Sequence, residues 1–341
     1  MALKAPRHMP ARIVSGHVSI RGQKCTHSFG AAAGWPERRG AVAAHASNPA
    51  SEPGGPAPEQ AANPAKRINP GRNLKHAITT ALILGAIVIL SLLSPLLWYA
   101  LLVVGMGLAV YEVWRRLLEA GYVLSLPVLV AGSTAMILLS WPFGPTGLVA
   151  GFASSVLLLM VTRLFHHGRH SPPHNYVRDM AVGVMVLTWI PMFGAFAAML
   201  SRLESAGAPG AFYIITFMLC VVANDVGGYA FGVLFGKHPM APAVSPKKSW
   251  EGFAGSVTSA AVVGALAVSL LLGGPWWLGI GLGVGLSVCA TLGDLVESQF
   301  KRDLGIKDMS GMLPGHGGLM DRLDGMLPAA MVTWVVLNLI G

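Results

Sequence analysis

The sequence predicts an all-α fold: a polytopic membrane helical bundle of about nine transmembrane helices, N-terminus in and C-terminus out. Three observations carry this. Of 341 residues, 53% are hydrophobic and only 11% charged, with a mean hydropathy of +0.59. A soluble domain carries about 25% charged residues, so this chain has too little polar surface to coat itself in water. The apolar residues gather into blocks close to the roughly 20 needed to cross a bilayer as helix. The alternation of barrel strands is absent, and a helix satisfies its own backbone amides in lipid. Finally, the basic residues between the blocks fall on alternate loops, which orients the bundle.

Along the chain, residues 1–66 are rich in Ala, Pro, Gly and Arg, as in Pro53-Gly54-Gly55-Pro56-Ala57-Pro58. They lack sustained periodicity and the apolar core of a signal peptide, and read as a disordered basic cytoplasmic tail. Residues 67–341 read as one membrane-embedded domain. Residues 1–76 hold 11 Lys+Arg against 3 Asp+Glu, and the remainder 13 against 12. The basic balance therefore belongs to the tail, where it suits attraction to anionic headgroups rather than nucleic acid.

Spans are predicted at 77–94, 96–111, 122–141, 145–162, 180–200, 211–235, 253–273, 276–293 and 325–341, with Pro95 and Gly144-Pro145 as punctuation between helices. Basic clusters precede span one (Lys66, Arg67, Arg72, Lys75) and follow spans two (Arg115, Arg116), four (Arg163, Arg169, Arg178), six (Lys237, Lys247, Lys248) and eight (Lys301, Arg302, Lys307). All five share one side if the N-terminus is inside. Cys220 and Cys289 lie in apolar spans and Cys25 in the tail, so neither a disulfide framework nor a zinc spacing is present.

Polar chemistry concentrates in two stretches. One runs from Asn224-Asp225 through Gly232, then Ser245-Pro246-Lys247-Lys248-Ser249-Trp250-Glu251-Gly252. The other runs from Gly293-Asp294 to Asp324. Of the 12 acidic residues after position 76, eight lie in or between these stretches. An unpaired carboxylate at membrane depth costs roughly 2.5–3.5 kcal/mol on insertion scales, so such residues are seldom idle. If the end of span eight stays helical, Asp294, Glu297, Ser298 and Lys301 share one face. Asp321 and Asp324 are likewise i, i+3 before span nine. Hard divalent cations take carboxylate and phosphate oxygens. Carboxylates, a Gly-rich run at Pro314–Gly318 and interleaved cations suit phosphoryl or nucleotidyl transfer, which is mostly positioning and charge stabilisation. Blander readings stand beside this one. Glu297 with Lys301 makes an ordinary i, i+4 surface pair, Lys247-Lys248 a positive-inside anchor, and His316 a loop residue that is a poor zinc ligand.

The second stretch resembles the signature of the phosphatidate cytidylyltransferase (CDP-diacylglycerol synthase) family. Its elements appear in order: Ser298, Lys301-Arg302, Lys307-Asp308, Pro314-Gly315-His316-Gly317-Gly318, Asp321-Arg322 and Asp324. Ser245–Gly252 resembles a second stretch of that family. Asn224–Gly232 is similar too, though Gly228 stands where alanine is expected and Asn224 also departs from the pattern. The resemblance implies transfer of CMP from CTP to phosphatidic acid, giving CDP-diacylglycerol and pyrophosphate. It implies metal carboxylates at Asp294 and Asp321, holding Mg²⁺ with a monovalent ion such as K⁺ alongside. Lys301, Arg302, Lys307 and Arg322 are implied as phosphate contacts, with Asp308, His316 and Asp324 in the same catalytic group. Asp225, Lys248 and Ser249 are implied as substrate-binding. The partners are the two substrates and membrane lipids, and a homodimer is among the assemblies allowed. The expected location is the bacterial inner (plasma) membrane, with the site facing the cytoplasm. Two rival readings are a CTP-dependent lipid kinase, which would release CDP, and a secondary transporter, for which no inverted repeat is visible.

Overall fold

A computed structural model describes residues 70–166, 174–203, 208–314 and 317–338. The tail expected at 1–66 and His316 lie outside the described residues. Helix α1 spans Pro70–Ser91 and α2 Pro95–Glu119; the Ser94 side chain accepts from the Leu96 amide and Pro95 opens the helix. A prolyl nitrogen at that position forfeits no helical hydrogen bond. Helix α3 runs Leu126–Leu164, and Gly144, at φ 55 and ψ −137 between Pro142 and Pro145, breaks it into arms 126–143 and 145–164. Only glycine adopts such a conformation without steric cost, and the prolines remove ladder bonds on either side.

The segment read as one span at 180–200 is helical throughout but not uniform. Helix α4 (Tyr176–Leu187) passes through a π-helical turn at Thr188–Met192, which contains Pro191, into α5 (Phe193–Leu200). The wider turn fits a residue that lacks an amide hydrogen. Helix α6 follows at Gly210–Phe235, then a hairpin of β1 (Pro239–Ala241) and β2 (Ser245–Ser249), which pair antiparallel. This hairpin is the one departure from all-α architecture among the described residues. Helix α7 spans Trp250–Leu271, α8 Trp276–Asp303, α9 Met320–Leu323 and α10 Met326–Asn338.

Six helical stretches among the described residues are long and apolar enough to cross a membrane: α2, α3, the α4–α5 unit, α6, α7 and α8. Their outward faces keep large apolar side chains uncovered, with Leu270 at 78% and Leu234 at 72% exposure. Such surfaces belong in lipid. The chain is an all-α polytopic membrane protein.

Close backbone approach assembles the half that carries the polar stretches. A Cβ on Gly264 would lie 2.3 Å from the Gly279 carbonyl oxygen, and one on Gly279 would lie 2.2 Å from that of Gly264. The α6–α7 crossing repeats the device, since a Cβ on Gly227 would lie 2.6 Å from the Gly255 oxygen and one on Gly255 2.7 Å from the Gly227 oxygen. In lipid there is no hydrophobic drive between helices, so small residues that permit tight packing replace it. The other half packs on aromatic anchors. Trp98 Nε1 donates to the Ala197 carbonyl at 2.8 Å, and Tyr99 meets Trp141 edge-on at 4.6 Å between ring centroids.

Candidate active site

Helix α8 continues past its apolar part to Asp303, so the face expected from spacing forms. Ser298 Oγ donates to Asp294 Oδ1 at 3.4 Å, and Lys301 Nζ to Glu297 Oε2 at 2.8 Å. The Glu297–Lys301 pair is not a surface pair, however: the Glu297 side chain is 1% exposed and that of Lys301 16%.

Beside this face the chain returns through α9. A Cβ on Gly293 would lie 2.4 Å from the Asp324 carbonyl oxygen and 2.7 Å from Pro328 Cγ, so the backbone at Asp324 rests directly on α8. That contact brings Asp324 to Asp294. Carboxylate oxygens of Asp294, Glu297 and Asp324 lie within 4.8 Å of one another. Burial, and then the charge of Asp294, push the Asp324 carboxyl up to about 6. Glu297 Oε1 is buried without a hydrogen-bond partner among the described residues. Three converging carboxylates with a spare buried oxygen are what a hard, oxygen-seeking divalent cation requires, so the residues fit such an ion.

The hairpin supplies the facing charge. Ser249 caps α7, its Oγ accepting from the Gly252 amide at 3.1 Å. Lys248, one residue earlier, reaches across to α8, where its Nζ lies 2.5 Å from Asp294 Oδ2 and donates to the Thr291 carbonyl at 3.3 Å. The hairpin is tied to α7 by Glu251, which accepts from the amides of Lys237 at 3.1 Å and His238 at 3.2 Å. A cavity of about 360 Å³ opens between these elements, lined among others by Asp225, Lys247, Lys248, Ser249, Asp294, Arg322 and Asp324. Carboxylates and cations thus face one space large enough for a small molecule.

The two departures noted in Asn224–Gly232 meet at one atom. Ser256 Oγ donates to the Asn224 carbonyl at 2.8 Å, and a Cβ on Gly228 would lie 2.3 Å from that Ser256 Oγ. The glycine makes room for a serine hydroxyl that crosslinks α6 to α7 under the cavity floor. Asp225 itself accepts from Asn224 Nδ2 at 3.1 Å.

Six residues singled out from the sequence therefore line one cavity: Asp225, Lys248, Ser249, Asp294, Arg322 and Asp324. Lys301 and Asp321 stand behind it. Lys301 Nζ lies 2.9 Å from Asp321 Oδ1 as well as touching Glu297, and Asp321 Oδ2 accepts from the amides of Gly318 at 2.9 Å and Met309 at 3.1 Å. Burial opposes ionisation of Asp321, but Lys301 and these amides outweigh it and hold the carboxyl below its ordinary range. Arg302, Lys307 and Asp308 are exposed and outside the cavity lining. Sequence reasoning put Glu297 on one face with Asp294 but left it out of the metal ligands, and it missed Glu112 on α2. Glu112 is 2% exposed, and its Oε2 accepts from the Met320 amide at 2.8 Å. The only signal for Glu112 was an acid at the edge of an apolar run, which length-based span limits put one residue outside.

The sequence matches the cytidylyltransferase family over residues 75–340. It is 46% identical over 302 residues to a phosphatidate cytidylyltransferase of Mycobacterium bovis, covering 86% of this chain and 97% of that protein. It is 45% identical over 282 residues to one of Mycobacterium leprae, covering 79% and 89%. A third, of Brucella suis, is 31% identical over 277 residues, covering 77% and 93%.

Proposed function

The chain belongs to the cytidylyltransferase family, and on that premise we infer that it transfers CMP from CTP to phosphatidic acid, forming CDP-diacylglycerol and pyrophosphate for phospholipid synthesis. The observation that carries this is the convergence of Asp294, Glu297 and Asp324, of which Asp294 and Asp324 line one cavity together with Lys248 and Arg322.

A phosphatidate oxygen attacks the α-phosphorus of CTP in line; the new P–O bond forms as the bond to the β-phosphate bridging oxygen breaks, and pyrophosphate leaves. The nucleophile is already anionic, so no side chain is needed to deprotonate it. Lys248 and Arg322 neutralise phosphate oxygens from the cavity wall, with Lys247 at its rim and Arg302 and Lys307 outside it for the approach of anions. Asp225, on the α6 wall, and Ser249, at the head of α7, bound the space the nucleotide enters. Mg²⁺ held by Asp294, Glu297 and Asp324 would supply charge neutralisation at the reacting phosphates, with K⁺ as the monovalent ion alongside. Asp321, paired with Asp294 in the sequence reading, bears on this group through Lys301, which it shares with Glu297.

The same reading gives nine crossings, with the two arms of α3 counted separately and α1 and α10 included, N-terminus in and C-terminus out. The site then faces the cytoplasm at the inner membrane. CTP reaches it from water and phosphatidic acid from the leaflet, and neither crosses the bilayer.

The test is pyrophosphate release from CTP by the purified protein, with and without phosphatidic acid and Mg²⁺. Release should require both. Release indifferent to phosphatidic acid, or CDP in place of pyrophosphate, would overturn the assignment.

A further inference from the structure

Glu112 lies on α2, far in sequence from every residue of the cavity, yet it is one of the few carboxylates buried among the described residues. Its two oxygens hold the two ends of a single loop. Oε1 accepts from the Ser310 hydroxyl, and Oε2 accepts from the amide of Met320, the first residue of α9, at 2.8 Å. Gly318 is shaped to admit it: a Cβ there would lie 2.3 Å from Glu112 Oε1. One turn further along α2, Arg116 Nε donates to the Met309 carbonyl at 2.5 Å. Met309 and Gly318 are the residues whose amides donate to Asp321. Asp321 in turn holds Lys301, and Lys301 holds Glu297.

From these contacts we propose that Glu112 is a positioning residue for cytidylyl transfer: by stapling Ser310 to Met320 it fixes the loop that sets Asp321, Lys301 and hence Glu297 in the metal-binding group. The proposal rests on the function inferred above. A buried carboxylate that accepts from a loop backbone is a costly element to keep unless both oxygens are satisfied. Among the described residues, they are satisfied by the loop that carries the acidic and basic residues of the second stretch. Ordering that loop from α2 also couples the aromatic-packed half of the bundle to the half that holds the cavity.

The test uses the full chain in detergent and reads Mn²⁺ affinity by electron paramagnetic resonance alongside pyrophosphate release. Glu112→Ala should lower Mn²⁺ affinity and kcat by roughly 10–100-fold, the usual consequence of removing a group that orients metal ligands. KM for CTP should change far less. Glu112→Gln keeps a carbonyl to accept from Met320 and an amide to donate to the Ser310 oxygen, so it should restore most of both losses. Glu112→Ala with wild-type Mn²⁺ affinity overturns the proposal, as does a Gln variant no better than Ala. Should Glu112→Ala not fold, Ser310→Ala removes one of the two bonds and should give a smaller fall in Mn²⁺ affinity; no fall there overturns the proposal equally. Mn²⁺ binding needs no substrate, so a wild-type protein that binds the ion but leaves CTP intact refutes the inferred reaction and not the staple.

Discussion

Gly293→Ala is the sharpest perturbation the structure offers, because it adds one methyl group between the two elements that make the carboxylate cluster. The added Cβ would lie 2.4 Å from the Asp324 carbonyl oxygen and 2.7 Å from Pro328 Cγ, whereas ordinary contact begins at 3.4 Å. Neither obstacle is the far end of a flexible side chain: one is backbone and the other a ring. The α9–α10 link must therefore retreat from α8 by about 1 Å, taking Asp324 away from Asp294 and Glu297. A misplacement of about 1 Å at a reacting centre costs on the order of 100-fold in rate, equivalent to about 2.7 kcal/mol in the barrier. Overpacking alone costs about 1–3 kcal/mol of stability. The assay is steady-state pyrophosphate release from CTP and phosphatidic acid, with a thermal melt of the same preparation. Gly281→Ala, on the same helix with nothing within 4 Å of the new Cβ, is the control and should leave activity unchanged. Wild-type turnover in Gly293→Ala would show that the α8–α9 contact does not set the cluster, and the geometric argument would fail.

Asp294→Asn and Asp321→Asn should each remove most pyrophosphate release while expression and melting behaviour persist; near-normal turnover in Asp294→Asn would reassign the metal-binding group, and in Asp321→Asn it would refute the link through Lys301. In metal-free protein, Asp324 titrates at about 6 against an ordinary 3.8. A carboxyl raised in the folded state contributes stability that is fully present below its unfolded pKa and lost as pH rises through its folded one. The melting temperature of chelator-treated protein should therefore fall between about pH 4 and pH 6, and added Mg²⁺ should reverse the fall at neutral pH by binding the ionised form. A flat profile would exclude Asp324 as the titrating group. For topology, a cysteine introduced at Gly274, in a variant whose Cys25, Cys220 and Cys289 are replaced by serine, should react with an impermeant maleimide from outside the cell only; labelling from the cytoplasmic side would invert the proposed orientation.

Much of this molecule was legible before any coordinates. Helical periodicity is local, so the spacing of Asp294, Ser298, Glu297 and Lys301 on one face followed from 3.6 residues per turn once the helix was taken to continue. The break at Gly144 followed from the Gly144-Pro145 pair between two apolar blocks. The π-helical turn around Pro191 and the Pro239–Ser249 hairpin were not legible, because an apolar run containing proline has several ways to satisfy its amides and only the neighbouring helices select among them.

The candidate site divides along the same line. Sequence alone determined that this is a polytopic membrane protein with carboxylates, glycines and cations suited to phosphoryl or nucleotidyl transfer, because low charge density, span length and residue spacing are properties of the chain itself. The cytidylyl group was implied by resemblance to a family signature. The sequence also picked out six residues that line one cavity. Only the tertiary structure decided which carboxylates meet. Asp321 and Asp324 are three residues apart and alike in composition, yet the glycine contact at position 293 brings Asp324 to Asp294, while backbone amides and Lys301 hold Asp321 behind it. The same holds for Glu112, an acid at the end of an apolar run until Ser310 and Met320 take up its two oxygens. Which long-range pairs form depends on close approach between distant backbones, and the linear order of residues does not contain that distance.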